Sequence, residues 1–221
     1  SSSAASDVYK RQKHLIKDFG GSRPGWGYSE SPLVDGENLI VTPGGSNGSV
    51  VALNKKTGET VWASTDVTEK AHYCSAAVIE SHGVRQIITF TGGCGNKRKP
   101  GDPPRIIGLA ADSGELLWSY EKSANRTANV STPLFANDRV FSASAYGTGG
   151  GLAKINKNGD VFSAEPVYFE KKMQNHHGGM ILIDGYIYGT GSNSLICMNF
   201  ETGEIAWQAR AAGKGCLLYT S

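Results

Sequence analysis

The stretch Asn175-His176-His177-Gly178-Gly179 holds the side chains best suited to chemistry in this sequence. Two adjacent imidazoles offer metal ligation or proton transfer near neutral pH. Neighbouring side chains on a strand point to opposite faces, so both histidines can ligate one metal only if the glycines permit a bulge. A metal would also need further ligands, and Glu30 and His72 are candidates. The alternatives are a ligand-binding role, or a hydrogen bond from one histidine while the other is solvated.

The segment WGYSES (26–31) is a second candidate for chemistry. Its Ser-Glu-Ser run suggests a hydrolase, but no GxSxG elbow is present and no triad can be assembled. Trp26 could stack on a planar ligand or cap the end of a structural element. The glycine runs at 44–45 and 147–151 lack the GxxxxGK[ST] pattern of a phosphate loop, so they indicate tight turns.

Composition limits the class of protein. The chain has 221 residues, 39% of them hydrophobic, and a net charge of +2, which lacks the bias of a nucleic-acid-binding protein. No apolar run approaches the roughly 18 residues of a membrane span. Twenty-nine glycines and nine tyrosines against three methionines favour short strands and tight turns, and no helical periodicity is visible.

The two ends of the chain are distinct from the rest. SSAASDVYKRQ (2–12) and CLLYTS (216–221) back-translate to the two strands of one transposase-type sequencing adaptor. We therefore expect 1–12 and 216–221 to be adaptor-derived and not structural, and 13–215 to be part of a longer protein whose N-terminus and any signal peptide lie elsewhere. Cys74, Cys94 and Cys197 remain, and their spacing predicts neither a metal framework nor a disulfide set.

One six-residue phrase occurs four times: TGETVW (57–62), SGELLW (113–118), NGDVFS (158–163) and TGEIAW (202–207). Its glycines are 56, 45 and 44 residues apart, and a Gly/Pro/Lys-rich loop at 92–104 lengthens the first interval. Each phrase predicts a tight turn into a strand, and each tryptophan can cover the seam between neighbouring sheets. The predicted structural residues are Gly58, Trp62, Gly114, Trp118, Gly159, Gly203 and Trp207. Ser163 replaces tryptophan in the third copy, so that seam should pack differently or less tightly.

Each repeat also contains a predicted hairpin before the phrase. The segments 31–44, 132–144 and 179–191 place VDGEN, FANDR and IDGY between two short apolar runs. A third strand follows at 49–54, 105–111, 151–156 and 194–199, and the phrase leads into a fourth. The sequence therefore predicts an all-β fold of four-stranded antiparallel units.

Three segments carry a specific resemblance to a known family: ALNKKTGETVW (52–62), GLAADSGELLW (108–118) and CMNFETGEIAW (197–207). They resemble the tryptophan-docking repeats of PQQ-like (pyrroloquinoline-quinone-binding-like) β-propellers, and the resemblance covers essentially all of 13–215. It implies about four blades of a seven- or eight-bladed ring, and a periplasmic or secreted location. The family includes quinoprotein alcohol and sugar dehydrogenases, and a non-enzymatic lipoprotein of the outer-membrane β-barrel assembly machinery.

In such a ring, the residues that lead into the first strand of each blade converge on the channel face. Aligning the repeats on the apolar residue after the first hairpin gives one equivalent position in three blades, and the second blade offers alternatives. We expect a binding site among these residues and their neighbours, namely Tyr28, Glu30, His72, Tyr73, Asn129, Asn175, His176 and His177.

Three functions remain open from the sequence. The first is a binding scaffold, in which the channel face takes a small ligand or an envelope protein. The second is a pure scaffold that offers blade edges or loops to other envelope proteins. The third is a PQQ-dependent dehydrogenase, which would need calcium, carboxylate ligands and a catalytic aspartate. The family's enzymes usually also have a disulfide between adjacent cysteines, and this sequence contains no Cys-Cys pair or matching aspartate. The sequence therefore assigns no catalytic residue and no metal ligand, and PQQ with calcium stays open as the cofactor of the dehydrogenase alternative.

Overall fold

The computed structural model describes residues 12–92 and 103–210. Its strands form four antiparallel sheets of four strands, each ordered as in the chain, and we call each sheet a blade. Blade 1 contains β1 (Leu33–Asp35), β2 (Asn38–Val41), β3 (Val51–Asn54) and β4 (Thr60–Ala63), and blade 2 contains β5 (Ala77–Ser81), β6 (Val84–Thr91), β7 (Arg105–Ala110) and β8 (Leu116–Tyr120). Blade 3 contains β9 (Leu134–Ala136), β10 (Arg139–Ser144), β11 (Gly149–Asn158) and β12 (Val161–Glu170), and blade 4 contains β13 (Ile181–Ile183), β14 (Tyr186–Thr190), β15 (Ser194–Asn199) and β16 (Ile205–Arg210). The predicted all-β fold of four-stranded antiparallel blades is confirmed.

The first hairpin of each blade turns where backbone angles favour Asn, Asp or Gly. The turn residues Asn137-Asp138 and Asp184-Gly185 all have positive φ, as tight two-residue hairpins require. Blade 2 turns at His82-Gly83, and its hairpin has five cross-strand pairs where blade 1 has three. This longer hairpin explains why the second repeat was difficult to align by sequence.

The repeated phrase forms the turn between the third and fourth strands of blades 1, 2 and 4. In blades 1 and 4, the Asn54 and Asn199 side chains each accept two backbone N–H bonds, at 2.9–3.0 Å, from the turn that follows. A β-bulge precedes the turn at an equivalent position in every blade: Ala52/Leu53, Gly108/Leu109, Leu152/Ala153 and Cys197/Met198. The bulge therefore gives a common register for comparing the blades.

Trp62 joins blade 1 to blade 2 in the way that the sequence predicts. Its indole Nε1 donates to the Ala111 carbonyl at 3.0 Å. A Cβ on Gly114 would lie only 2.4 Å from the indole ring, so glycine permits this close approach. Aliphatic side chains of both blades surround the ring and form one buried cluster.

Tyr168 has the same role between blades 3 and 4. It pairs with Leu152 beside the bulge, just as Trp62 pairs with Ala52. Its hydroxyl donates to the Phe200 carbonyl at 2.8 Å, and its ring lies 2.6 Å from the position of a Cβ on Gly203. The seam after the third repeat therefore differs from the first seam, as expected, and the difference is that tyrosine takes the place of tryptophan.

The assignment of NGDVFS (158–163) as the third copy of the phrase requires correction. Asn158 pairs with Val161, so Gly159 lies in a two-residue turn at the end of a long hairpin. No atom lies within 4 Å of a Cβ on Gly159, so no ring docks there. The counterpart of Glu59-Thr60-Val61-Trp62 is Glu165-Pro166-Val167-Tyr168, several residues further along β12.

The seam between blades 2 and 3 uses a third arrangement, because β11 continues as a strand where the other blades turn. Trp118 is buried in this seam, and its Nε1 donates to Gln86 of its own blade at 2.7 Å. The Ile155 carbonyl, equivalent to that of Ala111, lies 2.9 Å from the His82 ring nitrogen. His82, in the longer hairpin of blade 2, thus bonds to the Ile155 carbonyl. Trp62 bonds to the equivalent carbonyl at the seam between blades 1 and 2.

The two outer faces of the four-blade arc differ. A short helix, α1 (Leu15–Phe19), covers blade 1, and Phe19 packs on Val51 and Leu53. The sequence shows no helical periodicity, because these five residues are too few to display it. At the other end Trp207 is 43% exposed, and no described blade covers it. Most of the predicted 92–104 loop, Cys94 and both adaptor segments, except Gln12, lie outside the described residues.

Candidate functional site

We call the segments that precede the first strands of the four blades (20–32, 64–76, 121–133 and 171–180) the leading loops. These loops contact one another at one end of the sheets. Ser29 Oγ in the first leading loop donates to the Tyr73 carbonyl in the second at 3.2 Å. The Tyr73 backbone N–H donates to the Asn129 carbonyl in the third loop at 3.2 Å. Ser131, which follows Asn129, donates to Asn175 in the fourth loop. The chain thus brings residues that are far apart in sequence into one continuous layer.

The strand register identifies the equivalent position in each leading loop. One cross-strand pair near each hairpin turn corresponds in all blades: Val34–Leu39, Val78–Ile87, Phe135–Val140 and Leu182–Ile187. The residues six positions before the first member of each pair are Tyr28, His72, Asn129 and His176. His72 is therefore the counterpart in blade 2, among the alternatives that the sequence left open.

A cavity of about 470 Å³ lies among the leading loops. It is lined by Trp26 and Ser29 of the first loop, Tyr73 of the second, Ala128 and Val130 of the third, Tyr146 of the β10–β11 turn, and His176 and His177 of the fourth loop. All four blades therefore contribute to one concave surface. Of the eight candidate residues from the sequence, Tyr73, His176 and His177 line it.

Aromatic rings form two groups on the cavity wall. Trp26, 72% exposed, lies 5.6 Å from the Tyr73 ring between centroids, and its backbone N–H donates to the Tyr73 hydroxyl at 3.3 Å. In the other group, the His176 ring is 3.9 Å from that of His177 and 4.7 Å from that of Tyr146. The Tyr146 hydroxyl is 2.9 Å from His176 Nε2.

The stacked histidines differ from the arrangement expected on a strand. His176 and His177 lie in a loop before β13, so the alternation of a strand does not separate their rings. Both imidazoles consequently line the same cavity. His176 is 8% exposed and bonded to Tyr146, whereas His177 is exposed.

Tyr28 and Glu30 support the first leading loop from outside the cavity lining. The Tyr28 hydroxyl donates to the Pro43 carbonyl at 2.8 Å, and partial burial raises the pKa of this phenol. Glu30 accepts bonds from both the backbone N–H and the hydroxyl of Thr42. Burial raises the pKa of Glu30, and these two bonds partly oppose that shift. Both side chains anchor the loop that carries Trp26.

His72, Asn129 and Asn175 form a buried polar layer between the loops. Asn129 Nδ2 lies 3.1 Å from His72 Nε2 and also donates to the Asn125 carbonyl at 2.9 Å. Burial lowers the pKa of His72 to about 4, so its imidazole is neutral at physiological pH. Asn175 accepts from Ser131 and donates to Thr190 at 3.4 Å. These three side chains position the loops, because their polar atoms bond to neighbouring segments.

Among the residues that the structure describes, the cavity lining contains no Asp, Glu, Lys or Arg side chain. Within residues 12–92 and 103–210, no group of three or more His, Cys, Asp and Glu side chains is arranged to hold a metal ion. Calcium needs several oxygen ligands, usually including carboxylates, and PQQ itself carries several carboxylates. The lining therefore does not fit a calcium–PQQ complex, and no step of chemistry can be derived through one.

Sequence reasoning missed several residues of the cavity. Tyr146 follows β10 with a φ of 56° and precedes the glycine run 147–151, which indicates only a tight turn in the sequence. An aromatic residue beside Gly147 in AYGTGGG was the available signal. Ala128 and Val130 flank Asn129, and only the contact between loops reveals them as lining. Trp26 was considered for ligand stacking or for a cap, and the structure places it at the cavity.

Comparisons with known proteins agree with this architecture. Residues 19–209 match the protein family described as outer membrane protein assembly factor BamB. The chain is 26% identical to the outer membrane protein assembly factor BamB of Burkholderia pseudomallei (strain K96243), over 82% of this chain and 55% of that protein. The chain thus spans about half the length of the relatives that it matches. No helix in its described part is long and apolar enough to cross a membrane.

Two solved structures show the same fold. BamB from Moraxella catarrhalis superposes with a TM-score of 0.56 at 16% identity, over 83% of this chain and 51% of that one. Quinohemoprotein alcohol dehydrogenase from Comamonas testosteroni gives 0.53 at 14% identity, over 86% and 35%. At these identities the likeness concerns the β-propeller fold alone. Since the family match extends over most of the sequence, the chain belongs to the BamB family of PQQ-like β-propeller repeat proteins.

Proposed function

We propose that the chain is part of a non-catalytic extracytoplasmic scaffold that acts in outer-membrane protein assembly and binds its partner at the leading-loop cavity. The observation that carries this proposal is the composition of the cavity. Loops from all four blades build it, and its walls consist of aromatic, imidazole and small apolar groups. Such a surface suits recognition, because it offers contact area and few polar groups.

Other features support binding in preference to catalysis. The Glu30 carboxylate is held by Thr42, and His72 and Asn129 are bonded to neighbouring loops. A general base must reach the proton that it removes, and these groups instead hold the cavity walls. The family match and the name of the Burkholderia relative support a role in outer-membrane protein assembly. We infer a periplasmic location from that role.

The test uses the complete protein that carries this chain, in a bacterium deleted for its own assembly factor of this family. We expect its expression to restore outer-membrane β-barrel protein levels, and His177→Ala combined with Trp26→Ala to reduce that restoration. Lys172→Ala, outside the cavity lining, is the matched surface control. A periplasmic, folded protein that restores nothing would overturn the assembly role. Oxidation of alcohols or sugars that depends on added PQQ and calcium would overturn the non-catalytic assignment.

A further inference from the structure

We propose that the leading-loop cavity binds an uncharged aromatic ring, inserted between the Trp26–Tyr73 group and the Tyr146–His176–His177 group. This inference rests on the proposed binding function and names the ligand chemistry. The ring belongs to a side chain of the partner polypeptide, and a free aromatic molecule is the other outcome that the test distinguishes. The chemistry that recognises it is the same in both cases, namely stacking on aromatic faces and desolvation of an apolar surface.

The exposure of Trp26 is the first argument. Its side chain is 72% exposed although it lies at a cavity, and the indole is tilted 49° against the Tyr73 ring. Tyr73 itself is only 7% exposed, so one aromatic ring supports the other from behind. An exposed aromatic residue at the rim of a pocket is typical of a binding anchor, because its apolar surface is buried only in the complex.

The second aromatic group, Tyr146–His176–His177, is held in place by contacts within the chain. The Tyr146 hydroxyl meets His176 Nε2 at 2.9 Å, and the two imidazoles stack at 3.9 Å. Below them, Ser131 and Thr190 hold the Asn175 side chain, which precedes His176 in the fourth leading loop. A preorganised wall reduces the entropy lost on binding. The two aromatic groups belong to different pairs of blades, so a ligand between them would contact both halves of the arc.

The charges around the cavity determine which ring fits. Within residues 12–92 and 103–210, no carboxylate, ammonium or guanidinium group lines it. Glu30, the acidic residue of the first leading loop, is bonded to Thr42. An anionic ligand would therefore lose hydration without gaining an opposite charge. This argument disfavours polyanions such as PQQ.

The test measures binding of defined probes to the chain by titration calorimetry and ligand-observed NMR. Indole and N-acetyl-tryptophanamide should bind saturably, whereas N-acetyl-leucinamide and PQQ with calcium should not. Trp26→Ala and His177→Ala should each weaken indole binding about tenfold or more. Trp207→Ala is the matched control, because it removes another exposed tryptophan far from the cavity lining and should leave the affinity unchanged.

Both sources of the ring can be distinguished. Tighter binding of a capped Gly-Trp-Gly peptide than of indole identifies a polypeptide side chain, and the reverse identifies a free aromatic molecule. The proposal is overturned if indole does not saturate, if Trp26→Ala binds like Trp207→Ala, or if PQQ binds better than indole. Circular dichroism of each variant separates lost binding from lost folding. If indole does not bind but the complete protein restores outer-membrane protein levels, the aromatic-ring proposal is rejected and the assembly role stands.

Discussion

Three different side chains approach one repeated backbone carbonyl. The carbonyls of Ala111, Ile155 and Phe200 occupy equivalent positions after the bulge of blades 2, 3 and 4. Their partners are Trp62, His82 and Tyr168, at 3.0, 2.9 and 2.8 Å. A buried carbonyl without a partner is costly, so the repeat conserves the bond within one chain while the donor varies. The geometry of the seam, and not the indole itself, is the repeated feature.

The first prediction concerns the hydrogen bond of Trp62. Trp62→Phe keeps most of the ring but removes the donor to the buried Ala111 carbonyl. We expect the free energy of unfolding to fall by about 1–3 kcal/mol, measured by urea denaturation. Trp207→Phe should change it by about 0.5 kcal/mol or less, because its ring is 43% exposed. Equal effects of the two substitutions would contradict the role of the bond.

The second prediction is a pH dependence that originates at His72. Burial lowers its pKa to about 4 in the folded chain, from an unfolded value of about 6.5. Between these values the unfolded chain binds a proton that the folded chain does not, so stability decreases as the pH falls. The loss should approach about 3 kcal/mol near pH 4, and it should be absent above about pH 6.5.

Urea denaturation from pH 7.5 to pH 4 tests this dependence. His72→Asn retains a polar side chain next to Asn129 but does not titrate in this range. The free energy of unfolding of the variant should therefore fall less steeply with pH than that of the original chain. Parallel curves for the two proteins would show that His72 is not the source.

At the scale of elements, the turns were the most predictable feature. Gly58, Gly114 and Gly203 all have φ near +75°, and the sequence marked each of them by the residues around it. The third repeat was misassigned because its NGD string also forms a turn, although at the tip of a longer hairpin. Turn chemistry is local and can be read from a few residues, whereas strand register depends on pairing between strands.

The third prediction separates a docking glycine from one that serves only a turn. Gly203→Ala and Gly159→Ala both introduce a side chain at positive φ, so they share a similar backbone strain. Only at Gly203 would the Cβ lie 2.6 Å from the Tyr168 ring. Gly203→Ala should therefore cost about 1–3 kcal/mol more than Gly159→Ala in the free energy of unfolding. A larger cost at Gly159 would reject the corrected register.

The candidate site was less predictable than the blades because it depends on contacts between loops of different repeats. His176 and His177 were identifiable by residue type, but their stacking depends on a loop conformation that periodicity does not describe. Tyr146, Ala128 and Val130 reach the cavity only because loops of different blades meet there. A single sequence specifies the positions within one repeat well. It says little about contacts between loops of different repeats.

For the whole molecule, the last prediction follows from the unequal ends of the four-blade arc. Helix α1 covers the outer face of blade 1, but Trp207 on the last strand is 43% exposed and lies 6.2 Å from the Tyr188 ring. At the first and third seams the equivalent rings, Trp62 and Tyr168, are covered by the following blade. Exposed apolar surface and an outermost strand without a neighbour both promote association.

Sedimentation velocity of the chain should therefore show concentration-dependent self-association, and Trp207→Ser should reduce it. Val161→Ser removes another exposed apolar side chain, at the tip of the β11–β12 hairpin, and should leave the self-association unchanged. A monomer at every concentration would show that the blade 4 face does not associate.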